Sequence, residues 1–344
     1  MAGSGAHARV PRLKHEITIA GGGLAGLSLA IALRRRDIPV TVLEAGSYPR
    51  HRVCGEFISG VTDHTLDQLG ITGVFHDVIR HRTLSWHDQG NRFYQGALPE
   101  PALGISRLAL DDRLKDRFEE LGGKLEAGTR ARPEPREGFV WAAGRRPTKG
   151  RWLGLKAHVR GIPMSADLEM HSGTNGYAGL VGIEDGWINV CGLFMIDRAI
   201  EAKGPDLLPA YLEAGGNDAL AKVLRDATWR DGSFSAVAGF ELGRQPVIPD
   251  LVCLGDAESM IPPFTGNGMS MAFQSAEMAI EPLVAWSEGS IHWQTARDRT
   301  ASSLRKRFRR RLATAGAFHH VILHTSGRKL LRSLSSAHLL PFRP

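Results

Sequence analysis

Residues 17 to 44 read ITIAGGGLAGLSLAIALRRRDIPVTVLE, and this stretch decides the fold. An apolar run leads into a glycine-rich turn, apolar residues continue at helical spacing, and a second β-branched run ends in an acid. Gly21, Gly23 and Gly26 stand at the G-x-G-x-x-G spacing directly after the first run. The stretch therefore predicts strand, tight turn, helix and second strand, the order of a dinucleotide-binding unit.

The residues of this loop have separate physical roles toward a pyrophosphate. Gly21 lets the backbone turn sharply, Gly23 removes a β-carbon where the main chain approaches the anion, and Gly26 lets the helix lie close to the strand. Leu24 and Ala25 open the helix, whose first N–H groups can bind an anion. We expect all five residues to shape a nucleotide site, with a purely structural glycine turn as the alternative.

Glu44 ends the second strand, 18 residues after Gly26. An acidic side chain at this distance can accept hydrogen bonds from both ribose hydroxyls. The residue therefore implies an unphosphorylated adenosine ribose.

Length and composition exclude several classes of protein. The chain has 344 residues, enough for one large domain or two interleaved ones, and its three cysteines, Cys54, Cys191 and Cys253, lie far apart. Scattered cysteines predict no disulfide scaffold and no metal site, and they suit a reducing cytosol. No apolar stretch reaches the length of about 18 residues that a membrane-spanning helix needs. We expect a soluble, cytoplasmic protein with a disordered arm over residues 1 to about 14.

The net charge of +7 is concentrated in the run RKRFRRR at residues 305–311. A nucleic-acid surface is one interpretation, but no recognisable nucleic-acid-binding module accompanies the run. We therefore predict no nucleic-acid partner. The run is interpreted as a solvated helical face, or as a basic rim around a site for an anionic cofactor or a carrier-bound substrate.

A loop rich in turn residues and cations follows Glu44 and contains PRHRVCG at residues 49–55. Such a loop passes the phosphates of a nucleotide, so Arg50 or Arg52 can neutralise them, while Cys54 lies further towards the reactive end of the cofactor. The arrangement resembles the flavoprotein superfamily of the aromatic hydroxylases, the flavin-dependent halogenases and, for Pro-Arg-x-x-x-Cys-Gly, the geranylgeranyl reductases. This resemblance implies FAD as the cofactor.

A second motif, LGDAESMIPPFTGNGM at residues 254–269, adds to the resemblance. Its Gly-Asp pair matches the superfamily motif whose aspartate binds the ribityl chain. Two glycines, one on each side of an asparagine, have no side chain to block the approach of the backbone to a flat ring. The helix that begins near Met269 can direct its positive end at the flavin N1/O2 region. An ordinary strand-to-helix connection is the alternative. The cofactor-binding residues expected here are Gly255, Asp256, Gly266, Asn267, Gly268 and Met269.

Arg107 and Ala143 lie in two further segments that the superfamily shares. Residues 107–123 have an amphipathic helical pattern that ends at Gly122 and Gly123. The resemblance to the Arg-x-x-Leu-Asp segment places Arg107 near the cofactor, with a helix-start cation on a polar face as the alternative. Ala143 stands where the superfamily's second fingerprint has an aspartate. FAD binding is unaffected by this departure, but NAD(P)H as the electron donor is left uncertain.

The rest of the chain completes the predicted architecture. Short β-rich runs between Trp152 and Phe194 are typical of an antiparallel sheet, and a helical stretch covers Gly204–Trp229. Lys156 and His158 share one strand face, which we interpret as solvated, with acid–base chemistry as the alternative. We predict an α/β protein with a Rossmann-like FAD-binding domain (residues 1–60, 105–150 and 240–285), an interleaved antiparallel-sheet substrate domain (61–104 and 151–239) and a helical C-terminal segment (286–344).

The C-terminal helices carry apolar residues that we expect to pack on the FAD-binding domain. A lipid-like substrate tunnel or a surface in peripheral contact with a membrane are the alternatives. These residues are Phe318, Val321, Ile322, Leu323, Leu330, Leu331 and Leu334.

The resemblance implies an FAD-dependent oxidoreductase acting on a small molecule. We favour a monooxygenase of an apolar or aromatic substrate working through a flavin hydroperoxide, ahead of a geranylgeranyl-reductase-like ene reductase of a prenyl or polyene substrate and, third, a flavin-dependent halogenase. A reductase needs a proton donor, for which Cys54 and Glu56 are the catalytic candidates. The substrate could be lipid-like or carrier-bound, and a separate reductase could supply electrons. An FAD-binding partner protein without turnover is the alternative outside enzymes.

Overall fold

The computed structural model of the chain describes residues 14–246, 248–337 and 339. The arm predicted over residues 1 to about 14 therefore lies outside the described residues, apart from its last one. The strands, in chain order, are β1 (Ile17–Ala20), β2 (Val40–Glu44), β3 (Phe57–Ile58), β4 (Ile79–Asp88), β5 (Asn91–Gly104), β6 (Lys124–Ala127), β7 (Phe139–Trp141), β8 (Trp152–Arg160), β9 (Leu168–Ser172), β10 (Gly176–Gly182), β11 (Ile188–Met195), β12 (Thr228–Trp229), β13 (Ser235–Ala238), β14 (Gly243–Arg244), β15 (Val252–Cys253) and β16 (Ser259–Met260). The α-helices are α1 (Leu24–Arg34), α2 (Asp63–Leu69), α3 (Arg107–Glu120), α4 (Leu207–Ala214), α5 (Asp218–Asp226), α6 (Gly268–Ser287), α7 (Trp293–Leu323) and α8 (Thr325–Ser336).

The first sheet is parallel and carries the dinucleotide-binding unit. Its strand order is β15-β7-β1-β2-β6. α1 joins β1 to β2, and every residue from Leu24 to Leu33 in this helix is buried. A helix that is apolar on almost every side has to be covered on every side, and α1 lies against α3, α6 and β2. The strand, turn, helix and strand predicted over residues 17 to 44 are confirmed.

The second sheet is mixed and mostly antiparallel, in agreement with the mostly antiparallel sheet that the sequence predicted. Its strand order is β12-β8-β11-β10-β9-β4-β5-β3, and β13 also pairs with β8. The pairs that the described residues form in it are antiparallel except β4 with β9. Parallel neighbours need a long connection, and here the chain passes through α3, the first sheet and β8 before it returns beside β4.

β8 is covered on both faces. Leu155 and Ala157 pack with α4 and α5 on one face. Lys156 and His158 point to the other face, and both are 0% exposed. The prediction that this face is solvated is therefore wrong, because another part of the chain covers it.

The helical stretch predicted over Gly204–Trp229 is interrupted. α4 and α5 are separated at Gly216, whose φ of +85° lies in the left-handed region. Such a residue ends a helix. The last two residues of the stretch form β12, which pairs with β8, so the segment covers the second sheet with two short helices.

α2 packs with the first sheet. We placed the start of the substrate domain at residue 61, but Leu66 and Leu69 lie in the same apolar core as α1 and α6. The short strand β3 already pairs with the second sheet before α2, and the chain returns to that sheet at β4.

The C-terminal helix α7 spans both units. Its early residues, such as Leu304 and Phe308, pack in the core of the first sheet. From Phe318 onward the apolar side chains pack against the second sheet instead, where Ile322 is 1% exposed. We predicted that the C-terminal apolar residues pack on the FAD-binding domain, and this is wrong for the end of α7. A helix of 31 residues is long enough to extend past the first sheet. No helix among the described residues is both long and apolar enough to cross a bilayer.

A buried ion pair holds α8 against the second sheet. Arg328 and Asp88 are 3% and 2% exposed, and Nε of Arg328 lies 2.8 Å from Oδ1 of Asp88. Nη1 of Arg328 also donates to the carbonyl oxygen of Leu323 at the end of α7, at 3.1 Å. One guanidinium group thus joins β4, α7 and α8.

Arg328→Met should lower the free energy of unfolding by about 3 kcal/mol, because it leaves the Asp88 carboxylate buried without its main counter-charge. Lys329→Met is the matched control, since Lys329 is exposed and its loss should change stability by less than about 0.5 kcal/mol. Urea unfolding of both variants measures the difference. Equal stability of the two would contradict this account of α8.

Candidate active site

The glycine loop between β1 and α1 has the shape of a nucleotide cradle. Gly21 has a φ of +107°, and a β-carbon there would lie 2.3 Å from the carbonyl oxygen of Ala142. A β-carbon on Gly26 would lie 1.9 Å from the carbonyl oxygen of Gly21. At Gly23 the nearest atom would be Nη2 of Arg107, 3.9 Å away. Gly21 and Gly26 are thus required by the protein's own packing, whereas Gly23 borders space that a ligand can occupy.

α1 begins without a side-chain cap. Gly23 is its N-cap residue, and the first turn contains no acidic residue. The N–H groups of the first turn, which include those of Leu24 and Ala25, therefore have no side-chain acceptor at the cap. An anion beside Gly23 would supply one.

The Glu44 carboxylate holds the glycine loop to the end of β2. Oε2 accepts from the N–H of Gly22 and Oε1 from the N–H of Gly46, each at 2.8 Å, and Arg50 pairs with Oε1 at 2.5 Å. Burial opposes ionisation, but these N–H groups together with Arg50 and Arg52 keep the pKa of Glu44 below its ordinary value. Glu44 is therefore an anion whose oxygens already accept hydrogen bonds. Ribose hydroxyls would donate to these same oxygens.

A buried carboxylate positions two arginines beside this loop. Asp111 is 0% exposed; Nε and Nη2 of Arg107 donate to it at 2.9 Å, as does Nε of Arg52. Burial and the neighbouring Arg107 lower the pKa of Arg52, whose Nη2 makes no hydrogen bond. Three guanidinium groups, those of Arg50, Arg52 and Arg107, thus face two carboxylates, Glu44 and Asp111. Nη2 of Arg52 lies 3.6 Å from Oε2 of Glu44, and its unused hydrogen-bonding capacity together with the surplus positive charge fits an anionic ligand.

The second predicted motif meets the same site. Burial raises the pKa of Asp256, although the charges of Arg145 and Arg107 act against it. A β-carbon on the adjacent Gly255 would lie 3.1 Å from the β-carbon of Ala25 at the start of α1, so this motif lies beside the glycine loop. The sequence analysis missed Arg145, which stands in the segment that we noted only for its missing aspartate.

The end of the loop before α6 brings backbone groups to the site. Gly266 has a φ of +63°, and a β-carbon there would meet the Phe57 ring at 2.6 Å. Asn267 is the N-cap residue of α6, but its side chain donates to the carbonyl oxygen of Ser59 at 3.0 Å instead of capping the helix. Gly268 and the buried Met269 then begin α6, so its first N–H groups have no side-chain cap.

Glu56 lies at the centre of a buried polar cluster. It is 0% exposed, and Oε1 accepts from the backbone N–H of Arg107 at 2.9 Å. Nζ of Lys156 lies 3.1 Å from Oε1, and Nε2 of His158 lies 2.6 Å from Oε2. Burial opposes ionisation, but the hydrogen bond from His158 and the charge of Lys156 keep the pKa of Glu56 low. Glu56 is therefore placed as a carboxylate that accepts hydrogen bonds.

His51 extends this cluster towards the surface. Its Nδ1 lies 3.1 Å from Nζ of Lys156, and its ring centroid is 5.0 Å from that of His158. Burial, with the charge of Lys156, lowers the pKa of His51 to about 4, so the ring is neutral and accepts from Lys156. The sequence analysis missed His51, because no local pattern links it to residues more than a hundred positions away.

Cys54 lies beside this cluster. Burial raises the pKa of its thiol, against the opposing charge of Arg107, so it is a protonated group at neutral pH. Its carbonyl oxygen accepts from Nδ2 of Asn189 on β11 at 3.0 Å. The structure thus brings the two predicted catalytic residues, Cys54 and Glu56, onto one loop that faces the second sheet.

These features fit FAD. Gly23 and Gly55 leave open space, since a β-carbon on Gly55 would meet nothing within 4 Å. A β-carbon on Gly268 would first meet Ile261 at 4.0 Å. The first backbone N–H groups of α1 and α6, which have no side-chain cap, and the Nη2 group of Arg52 supply hydrogen-bond donors for a pyrophosphate and a flavin ring.

The chain is similar to known nucleotide-binding and redox proteins. A family model described as an NAD(P)-binding Rossmann-like domain matches residues 19–66. The menaquinone reductase of Mycobacterium tuberculosis is 24% identical over 319 residues, which cover 78% of this chain and 76% of that protein. The menaquinone reductase of Mycolicibacterium smegmatis is 23% identical over 340 residues, 81% of this chain and 79% of that one.

Solved structures match almost the whole chain. The p-nitrophenol 4-monooxygenase PnpA of Pseudomonas putida superposes with a TM-score of 0.73 at 13% identity, covering 94% of this chain and 93% of that one. HpxO of Klebsiella pneumoniae, crystallised with FAD and uric acid, superposes with a TM-score of 0.71 at 15% identity, covering 94% and 92%. The fold is that of the FAD-dependent oxidoreductases. The fold that the motifs predicted is confirmed at this level, and FAD is the cofactor that the fold accommodates.

Gly23→Ala should leave the fold intact and abolish most FAD binding, because the new methyl group enters the space of the pyrophosphate and not the protein's own packing. We expect an affinity loss of at least about tenfold, equivalent to about 1.4 kcal/mol. Gly26→Ala should instead destabilise the apo-protein, since its β-carbon collides with the carbonyl of Gly21. FAD titration and thermal unfolding of both apo-proteins separate the two effects; tight FAD binding by Gly23→Ala would show that the pyrophosphate lies elsewhere.

Proposed function

We propose that this chain is a flavin-dependent monooxygenase of an apolar or aromatic small molecule. The observation that carries the proposal is the buried cluster of Glu56, Lys156 and His158, which lies between the loop at Gly55 and the second sheet. FAD, when bound and reduced, would supply the electrons that activate dioxygen. The chain's own residues would bind the substrate, exclude water and move its proton.

An aromatic surface supports the proposed substrate class. Phe264 lies in the loop before α6, and its ring centroid is 5.9 Å from that of Tyr177, 5.5 Å from that of Phe318 and 6.0 Å from that of His319. These partners belong to the second sheet and to α7, so the cofactor loop meets the substrate sheet across aromatic rings. Tyr177 and His319 are buried, whereas Phe264 and Phe318 are half-buried, so a flat apolar molecule would contact the exposed parts of the last two rings.

His158 is the best placed group to move a proton. Its Nε2 donates to Glu56, which leaves Nδ1 as a buried atom without a hydrogen-bond partner. In this tautomer Nδ1 can accept the proton of a substrate hydroxyl, and the Glu56 carboxylate stabilises the imidazolium that results. We therefore propose Glu56 as the residue that positions His158, in place of the donor role first considered for it. Cys54, as a protonated thiol, stays the candidate donor.

The electron donor belongs to the same proposal. Ala143 follows β7 and is exposed, so no carboxylate stands where the superfamily's second fingerprint has one. We infer that a separate reductase, rather than free NADPH, reduces the cofactor.

Oxygen consumption by the photoreduced holoprotein tests the proposed reaction. Addition of a phenol should raise the yield of hydroxylated product at the expense of hydrogen peroxide. A protein that consumes oxygen equally with and without every phenol, and forms no oxygenated product, is not a monooxygenase of this class.

Quinone reduction is a second candidate, favoured by the match to two menaquinone reductases over about three quarters of the chain. The same cluster would then deliver a proton to the substrate. Anaerobic mixing of the photoreduced protein with a short-chain menaquinone distinguishes the two. Rapid reoxidation with quinol formation supports the second candidate, and slow reoxidation with fast oxygenation of a phenol supports the first.

Glu56→Gln should lower turnover by about ten- to a hundredfold while FAD remains bound, because His158 loses the anion that stabilises its charged form. The pH dependence of turnover should change as well, since the buried anion beside the His158 ring is removed. Glu213→Gln, at an exposed residue paired with Arg225, is the matched control and should leave both unchanged. Unaltered turnover and pH profile in Glu56→Gln would remove this cluster from the chemistry.

A further inference from the structure

We propose that the second sheet contains a zinc-type metal site formed by His87, Glu169 and His171. Each residue offers one ligand atom, and these atoms lie within 4.8 Å of one another. The site is independent of the proposed reaction and uses none of the residues assigned to it.

The three side chains share one face of two neighbouring strands. Glu169 and His171 stand two residues apart on β9, so both point to the same side of the sheet. His87 on β4 lies directly opposite His171 in the parallel pair, and the centroids of their rings are 4.4 Å apart. Ligands fixed on adjacent strands keep their spacing because the strands are held by the backbone ladder.

One ring nitrogen of this group has no partner. His171 is 6% exposed; its Nε2 lies 3.0 Å from Oε2 of Glu169, and its Nδ1 is buried without a hydrogen bond. A buried nitrogen left without a partner is costly. A cation that took the lone pair of Nδ1 would leave Nε2 to donate to Glu169, and so would satisfy both ring nitrogens.

Serine residues form hydrogen bonds with the proposed ligands and so fix their orientation. Oε1 of Glu169 accepts from the backbone N–H and the hydroxyl of Ser165, at 2.5 and 2.6 Å. This leaves Oε2 on the side of His171. The hydroxyl of Ser85 lies 3.2 Å from Nε2 of His87. Metal ligands are commonly held by outer hydrogen bonds of this kind.

The donor set selects the class of metal. Two imidazoles and one carboxylate suit a borderline divalent cation such as Zn²⁺, bound at about 2.0–2.2 Å. Around a tetrahedral zinc at these distances, two ligand atoms lie about 3.3–3.6 Å apart. The ligand atoms here lie within 4.8 Å of one another, so side-chain rotations that shorten the longest separation by roughly 1 Å would close them on the ion.

The site lies away from the proposed reaction. Trp86 and Met170 alternate with the ligands along β4 and β9 and point to the opposite face, into the apolar cluster that includes Tyr177. The metal would therefore clamp β4 to β9, the parallel pair of this sheet. We predicted no metal site because the cysteines are scattered. Histidines and a glutamate about 80 residues apart in the sequence give no local pattern that would predict one.

Zinc titration of the chelator-treated holoprotein tests the site. The unmodified protein should bind one equivalent of Zn²⁺ and unfold at a higher temperature with the metal than without it, because a ligand of the folded state stabilises it. Co²⁺ should bind in its place and give visible absorption bands. His87→Gln should weaken Zn²⁺ binding by at least about a hundredfold, since it removes a ligand and not merely an outer contact.

His320→Gln is the matched control, because His320 and His324 are an exposed pair with ring centroids 5.3 Å apart that could bind zinc at the surface. Stoichiometric binding should persist in this variant. Glu169→Gln is a second test that can keep the contacts to Ser165 and the fold, which FAD content verifies. Zinc binding that is absent from the unmodified protein, unchanged in both ligand variants, or lost in His320→Gln would overturn the proposal.

Discussion

The Glu56 carboxylate connects the two sheets, and the geometry of the active site depends on it. It is fully buried, accepts from the backbone N–H at the start of α3, and meets Lys156 and His158 on β8. A charge taken out of water has to be paired, and breaking such a pair costs about 3–5 kcal/mol. The loop around Gly55, α3 and the second sheet can therefore adopt only positions that bring these groups together.

Arg107 links this cluster to the phosphate side of the site. Its backbone N–H binds Glu56, while its guanidinium group is held by Asp111 one turn further along α3. Asp111 also holds Arg52. The first turn of α3 thus positions the cations that face the glycine loop and also the cluster proposed to move a proton. The two ends of the cofactor site are therefore held by the same helix.

The second sheet uses its two faces differently. One face carries Lys156, His158 and the aromatic surface toward the cofactor loops, whereas the other is covered partly by α4 and α5 and carries the group around His171. Because side chains alternate along a strand, adjacent residues of β4 and β9 serve opposite faces. A metal on the outer face can stiffen the sheet without touching the substrate.

The sequence by itself determined the dinucleotide-binding unit. The glycine spacing, the buried helix after it and the acid at Glu44 are local patterns, and backbone sterics within 28 residues decide what they form. Only the tertiary structure decided that Lys156 and His158 are buried, that His51 joins them and that α7 leaves the first sheet for the second. Whether a strand face is dry depends on which distant segment covers it, and the partners of a buried charge come from wherever the fold brings them. Such contacts leave no periodic signal along the chain, so the residues proposed to move a proton could be recognised only once the loop at Gly55 had been placed against β8.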